Sequence, residues 1–416
     1  MTDDASILRA LFDAALKAAL PDGQFEGRLP RPPRGRTIVL GAGKASARMA
    51  AAFEEAWAKT GGVCEGLVVT RYGHGVPTRS IEIVEAAHPV PDEAGLNAAR
   101  RILTLAREAG PDDLVVCLIS GGASALLSLP VEGISFEDKQ ALNRALLKSG
   151  APIGEMNIVR KSLSAIKGGR LAAAVHPAQL VTYLISDVPG DDPASIGSGP
   201  TIPEKVDPDL VMSILGKYGI DVPAHMMRAM RANAVEGADG GGVVHMIATP
   251  KMALDAAAAK ARELGIEPLI LGDAIEGETR EVGRVMAGIA RSVRLHGEPA
   301  AVPCVLLSGG ETTVTVRGTG RGGRNAEFLL SLALALRGEA GISAIACDTD
   351  GIDGSEDNAG AWFDQALFDD ARQKGVNLAS YLADNDAYSA FAKLDRLIVT
   401  GPTLTNVNDF RAILVR

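Results

Sequence analysis

Four glycine-rich segments and two aspartate clusters gather the residues that could do chemistry in this sequence. The first segment is Gly41-Ala42-Gly43-Lys44-Ala45-Ser46, directly after the apolar run TIVL and at the start of a helical pattern. Glycines there permit a tight turn and let backbone N–H groups approach an anion at a helix N-terminus. It is not a Walker A loop, which needs glycine where Ile38 stands and Ser or Thr where Ala45 stands. Nor is it a complete dinucleotide fingerprint, because Ser46 replaces the last glycine or alanine. Lys44 is the informative member. A cation in the first helical turn opposes the macrodipole unless an anion sits there, the alternative being a solvated surface lysine.

The second segment, Ser120, Gly121, Gly122 and Ser124, follows the run LVVCLI. Two glycines and two hydroxyls at the carboxyl end of a strand suit a phosphate or a carboxylate, although a plain turn has the same composition. Ser308, Gly309, Gly310 and Glu311 repeat the order in the second half, after PCVLL. Duplication and independent selection both account for the echo between CLISGGAS and CVLLSGGET. The fourth segment, GTGRGGRN, ends in Gly322, Gly323, Arg324 and Asn325 before the helical pattern AEFLLSLALAL. Such a loop is poor for packing, and it is read as a ligand clamp in which Arg324 and Asn325 face an anion at the helix start. Arginine is suited to neutralising phosphoryl oxygens.

The aspartates Asp187, Asp191 and Asp192 follow one strand pattern, and Asp348, Asp350 and Asp353 follow another. Mg²⁺ takes one or two carboxylates and completes its octahedron with water and phosphate oxygens. Either cluster alone could be Asx-turns; their shared position after strands favours a catalytic face. DTDGIDG is half of an EF-hand loop without the closing glutamate, so calcium is not expected. The histidines show no HxxxH or HxH spacing and the cysteines no CxxC, which removes zinc as an expectation. There is no GxSxG elbow.

These loops need strands and helices to hold them. Short apolar runs alternate with helical patterns: TIVL, GLVVT, IEIVEA, LVVCLIS and QLVTYLIS before residue 190, then VVHMIAT, PLILG, PCVLLS, AIACD, RLIVT and RAILV after it. Alternation of this kind predicts α/β folding, with mainly parallel or mixed sheets flanked by helices. A chain of 416 residues is long for one core, and the run Gly240, Gly241, Gly242 marks a break, with a boundary near 235–242. SILRALFDAALKAAL at the start is an amphipathic helix. The formal charge is −9 with scattered basic residues, so a nucleic-acid partner is not expected. No apolar run reaches membrane-spanning length and no signal peptide opens the chain, which makes a cytoplasmic location the expectation.

The sequence resembles the glycerate 2-kinases that carry a C-terminal MOFRL domain, a family whose members are sometimes labelled hydroxypyruvate reductases. The likeness runs in order through GAGKAS, LISGGASALL, MNIVRKSLSAIKGGRLA, LISDVPGDDPASIGSGPT, LLSGGETTVTV, GRGGRNAEF, DTDGIDGSEDNAGA and GPTLTNVND. It implies a Rossmann-like glycerate kinase domain over 1–236, an α/β MOFRL domain over 237–416, and an active site in the cleft between them. It further implies phosphorylation of D-glycerate at its 2-hydroxyl by ATP with Mg²⁺, Lys44 and Arg324 being the catalytic cations. On that footing Gly41, Gly43, Ser120, Gly121, Gly122, Ser124, Ser308, Gly309, Gly310, Glu311, Gly322, Gly323 and Asn325 bind nucleotide or phosphate. Ser120 with Lys161 or Arg170 receives the substrate, and Asp187 orients the hydroxyl or holds metal with Asp191, Asp348, Asp350 or Asp353. A monomer or homodimer is expected. The competing readings are an NAD(P)H-dependent hydroxypyruvate reductase, against which no Asp or Glu ends the second strand (Thr70-Arg71 stands there), and a non-catalytic nucleotide or sugar-phosphate sensor.

Overall fold

A computed structural model describes residues 3–233 and 241–416. The chain forms two compact units, one of residues 21–186 and 191–247, the other of residues 1–20, 187–190 and 248–416.

The first unit is built on strands β1 (Thr37–Ala42), β2 (Glu65–Arg71), β3 (Ile81–Ala86), β4 (Leu114–Ile119), β5 (Gln179–Ile185) and β6 (Val243–Ala248). They lie in the order β3-β2-β1-β4-β5-β6, with parallel pairing from β3 through β5. Both β1 and β4 are buried at every position, which is why they read as unbroken apolar runs rather than alternating ones. The helices Ser46–Ala58 and Glu93–Arg107 follow β1 and β3. Between β4 and β6 the chain also makes a helical patch from Phe136–Lys148, Ile153–Ser162, Pro208–Lys217 and Ala224–Ala232. That patch has its own small core of Leu142, Leu146, Val159, Leu163, Val211, Ile214, Leu215 and Met230.

The second unit carries β7 (Glu267–Gly272), β8 (Gly277–Glu278), β9 (Cys304–Gly310), β10 (Thr312–Thr313), β11 (Ile342–Asp348), β12 (Gly360–Phe363), β13 (Leu397–Ile398) and β14 (Asp409–Val415). Its main sheet runs β13-β12-β11-β14-β9-β7, and β8 pairs only with β10. The chain's last strand, β14, is antiparallel to both β11 and β9 and lies between them. Helices Thr279–His296 and Arg324–Leu336 cover this sheet, with Phe328, Leu329, Leu332, Ala333 and Leu336 facing Met286, Ala290, Leu306, Ala344 and Ile413.

Two placements differ from the sequence reading of 1–236 and 237–416 as domains. The run VVHMIAT, expected to open the second domain, is β6 at the edge of the first sheet beside β5. Gly242 makes this approach possible, since a Cβ there would lie 2.2 Å from the Leu180 carbonyl oxygen. The opening helix, Asp4–Ala19, belongs to the second unit. Its apolar face of Ile7, Leu8, Leu11, Phe12 and Ala15 packs on helix Pro250–Glu263 and on β14, with the Phe12 and Phe410 rings 5.7 Å apart. Most of the boundary expected near 235–242, Gly240 included, lies outside the described residues. Among the described residues no helix is long and apolar enough to cross a membrane.

If the first helix belongs to the second unit, truncating Phe12, which is fully buried, must loosen β14. Phe12→Ala is expected to cost about 3–5 kcal/mol. Hydrogen exchange should then show lost protection over 409–415 while 114–119 stays protected.

Candidate functional site

In the first unit, β1 and β4 are neighbours whose connections leave in opposite directions, so the strand order reverses between them. In open α/β sheets ligands bind beyond the carboxyl ends of the strands at such a switch point. Gly41 to Lys44 and Ser120 to Ser124 stand at those ends. The two loops are tied to each other: Ala45 N donates to Ser120 Oγ (3.0 Å), and Lys44 N donates to the Gly121 carbonyl (2.8 Å). A Cβ on Gly43 (φ +135°) would lie 2.1 Å from Ser120 Oγ, so glycine is required for the loops to meet. Gly122 leaves room for Lys44 and His88, whose side-chain atoms would each be 3.2 Å from a Cβ there.

Beside these loops opens a cavity of about 280 Å³. Gly122, Ser124, Ser128 and His88 form one part of its lining; Lys139, Gln140, Asn143, Arg160 and Lys167 form the polar part of the rest. Lys167 Nζ donates to the Ser124 carbonyl (2.6 Å) and hydroxyl (3.0 Å), and that hydroxyl is 2.9 Å from Ser198 Oγ. Lys161 and Arg170, the expected substrate cations, lie elsewhere in the network. Lys161 pairs with Glu204, and Arg170 donates to the Asn233 amide oxygen and carbonyl and to the Lys167 carbonyl. Arg170 therefore braces the loop that carries Lys167. Lys139, Arg160 and Lys167 are the cations the sequence reading missed. Lys139 did carry a signal: it shares the buried helix face of Leu142 and Leu146. A lysine on an apolar stripe is out of place unless something there requires it.

The second unit presents a different arrangement. The β11–β14–β9 register sets Asp348 opposite Asp409 and Asp409 opposite Gly310, so two carboxylates share one edge of the sheet. Arg324, first residue of its helix, reaches this row. Its Nε lies 2.7 Å from Asp409 Oδ1, one terminal nitrogen 2.8 Å from Asp348 Oδ2, and the other 2.9 Å from Glu311 Oε1. Burial works against its charge, but Asp409, Asp348 and Glu311 outweigh that and hold the guanidinium above its usual range. The second oxygen of Asp409 takes Arg411, 2.5 Å away and fully buried, whose guanidinium also lies over the Phe328 ring.

Asp353 occupies the N-terminus of the Arg324 helix, accepting from Asn325 N and Ala326 N at 2.9 Å each. A Cβ on Gly323 would come within 2.3 Å of it. The anion expected at this helix end is thus supplied by the chain itself. Burial, against those two N–H donors, pushes the Asp353 carboxyl up to about 6. Ser308, Gly309 and Gly310 do not form a turn after a strand; they lie inside β9, paired to β14 along its whole length. Gly322, with φ +146°, precedes Gly323, which is extended at the cap of the helix. Asp350 N donates to Asp348 Oδ1, and Asp350 Oδ1 accepts from Ile352 N. Asp187, also in this unit, accepts from Asn406 Nδ2 at its carboxylate (3.1 Å) and from Asn408 Nδ2 at its carbonyl (2.5 Å). Asp191 belongs to the first unit and has a positive φ of 53°. Among the described residues, no group of three or more His, Cys, Asp or Glu is arranged to hold a metal ion.

A two-domain α/β architecture with glycine-rich, cation-bearing loops beyond the ends of its strands defines a class of small-molecule enzymes. Comparison with known proteins identifies the family within it. Residues 7–231 match a domain of unknown function, DUF4147, and residues 304–409 match the MOFRL family. The chain is 41% identical to the D-glycerate 2-kinase of Thermotoga maritima over 95% of this chain and 94% of that protein. It is 54% identical to an Agrobacterium vitis protein provisionally named hydroxypyruvate reductase, over 98% of this chain and 94% of that one. A crystal structure of glycerate kinase from Thermotoga maritima superimposes with a TM-score of 0.92 at 39% identity, covering 99% of this chain and 100% of the other. The chain belongs to the glycerate 2-kinase family.

The buried charge balance at Asp409 yields a contrast to be measured. Asp409→Ala leaves Arg411 buried without its partner and should destabilise the fold by about 3–5 kcal/mol. Glu311→Gln removes a half-exposed partner of Arg324, a different arginine, and should cost under about 1 kcal/mol. Denaturant unfolding of both variants checks it.

Proposed function

We propose that the protein is a D-glycerate 2-kinase that uses ATP. The observation that carries this reading is the pair of tied loops at the β1–β4 switch point, with Lys44 at the start of a helix and a cation-lined cavity alongside. The named activity of relatives that match it nearly end to end supports it. In the reaction the 2-hydroxyl oxygen of glycerate bonds to the γ-phosphorus of ATP, the bond from that phosphorus to the bridging oxygen breaks, and the hydroxyl proton passes to a base. Positioning and electrostatics carry most of such a transfer. Lys44 and Arg324 are assigned to neutralising the transferred phosphoryl group, and the backbone N–H groups of the Gly41–Gly43 and Ser120–Gly122 loops to holding phosphate. Asp187, steadied by Asn406 and Asn408, is assigned as the group that orients the hydroxyl and takes its proton.

Four carboxylates (Glu311, Asp348, Asp353, Asp409) face two guanidiniums (Arg324, Arg411), and the buried amide oxygen of Asn325 has no hydrogen-bond partner. An oxygen-rich surplus of this kind suits a divalent cation, and Mg²⁺ bound to a nucleotide needs only one or two protein carboxylates. Asp348 and Asp350 are the residues that would hold it; Asp353 is committed to the helix. When bound, the ion supplies positive charge to phosphate oxygens.

The test is direct. The protein with D-glycerate, ATP and Mg²⁺ should release ADP and 2-phosphoglycerate, and Lys44→Ala and Arg324→Ala should each lower kcat by roughly 10²-fold or more. Normal turnover in both variants would sink the assignment. Oxidation of NAD(P)H with hydroxypyruvate in place of ADP formation would select the reductase, and neither signal would favour a sensor.

A further inference from the structure

Among the described residues, the cavity of the first unit is lined by cations and by no carboxylate. Lys139 is 7% exposed, and its Nζ is buried with no hydrogen-bond partner. Lys167, 3% exposed, meets only the neutral oxygens of Ser124. Arg160 Nε donates to the Asn143 amide oxygen at 2.8 Å. Among the described residues, no Asp or Glu lines the cavity. Burial pushes the Lys139 amine down to about 7, and burial with repulsion from Lys139, Arg160 and Lys161 lowers Lys167 well below its usual range.

A lysine at this position gains nothing from the Leu142–Leu146 stripe that an apolar residue would not gain more cheaply. Its amine loses water and receives no partner, a strongly unfavourable arrangement. An anion entering the cavity supplies the missing partner and offsets these costs. A water molecule occupies about 30 Å³, so about 280 Å³ accommodates a small organic acid. Gln140, Asn143 and Ser128 add hydrogen-bonding groups suited to hydroxyls.

We propose that this cavity is the carboxylate pocket for the acid substrate, with Lys139, Arg160 and Lys167 as its anchoring cations. The proposal rests on the glycerate kinase reading for the identity of the acid. It assigns substrate selection to Lys139, Arg160 and Lys167 rather than to Lys161 and Arg170, and it explains why a lysine interrupts an otherwise apolar helix face.

Calorimetric titration of the full-length protein with D-glycerate, without nucleotide, tests it, with inorganic phosphate and ATP as parallel arms. Lys139→Met should weaken D-glycerate binding by about 10- to 100-fold and raise its KM, while ATP affinity and the KM for ATP stay unchanged; Lys139→Arg should recover part of the loss. Circular dichroism checks the fold, and Arg160→Gln reads the same pocket should Lys139→Met fail to fold. Unchanged glycerate affinity in Lys139→Met, equal losses for glycerate and ATP, or tight phosphate binding without glycerate binding would each overturn the proposal. If the wild-type protein phosphorylates no glycerate but lactate and tartronate bind in a Lys139-dependent way, the kinase reading fails and the pocket stands. If it phosphorylates glycerate with an unchanged KM in Lys139→Met, the pocket alone fails.

Discussion

The carboxylate of Asp409 holds together the buried ion network of the second unit. One oxygen takes Arg324 and the Asn325 amide, and the other takes Arg411, which has no access to water. An unpaired arginine at that depth would be prohibitive, so Asp409 is fixed in place as the first residue of β14. Because β14 lies between β9 and β11, fixing its start also fixes the register that brings Asp348 and Gly310 level with it. Arg324 then has one position in which it meets Asp348, Asp409 and Glu311 together. The last strand of the chain thus sets the geometry of a loop 85 residues earlier.

The first unit solves the problem of bringing polar groups together by different means. Its two loops meet through the absence of side chains: Gly43 allows Ser120 to lie against the backbone, and Gly122 admits Lys44 and His88. Where the second unit matches Arg324 and Arg411 with carboxylates, the first, among the described residues, leaves Lys139 unmatched and gives Lys167 the neutral oxygens of Ser124. The contrast separates a self-contained ion network from a cavity whose cations meet no carboxylate among the described lining residues.

Much of this was legible in the sequence where the cause is local. Runs buried on both faces read as strands, and glycines after TIVL and LVVCLI read as close-approach loops, because both patterns reflect constraints within a few residues. Features set by distant partners were not. VVHMIAT pairs with β5 across a long stretch of chain, and nothing in its own residues says so. The first helix is amphipathic on any reading, but what its apolar face meets is decided near residues 250 and 410. SGGAS and SGGET look alike as strings, yet Ser308, Gly309 and Gly310 of the second lie within β9, paired to β14. Lys161 and Arg170 stand in one motif, and their partners Glu204 and Asn233 come from distant parts of the chain. Lys139 was visible as a charge on an apolar stripe, but its meaning depends on Arg160 and Lys167, which reach the same cavity from other elements.

The ion network also bears on how Arg324 can act. A guanidinium has five N–H donors, and three separate contacts to carboxylates leave donors on both terminal nitrogens. Its side chain is 23% exposed, and the exposed partner is Glu311, the weakest held of the three carboxylates. In the proposed transfer, an incoming phosphoryl group would compete most easily at the Glu311 side, while Asp409 and Asp348 keep the arginine charged and aimed. Its raised pKa follows from the same pairing and removes any question of deprotonation. Rigid carboxylate support on two sides, with an exchangeable partner on the third, lets a buried cation be held in place before the phosphate arrives. A guanidinium so held need not reorganise as charge develops on the transferred group, and that is the condition under which electrostatic stabilisation is most effective.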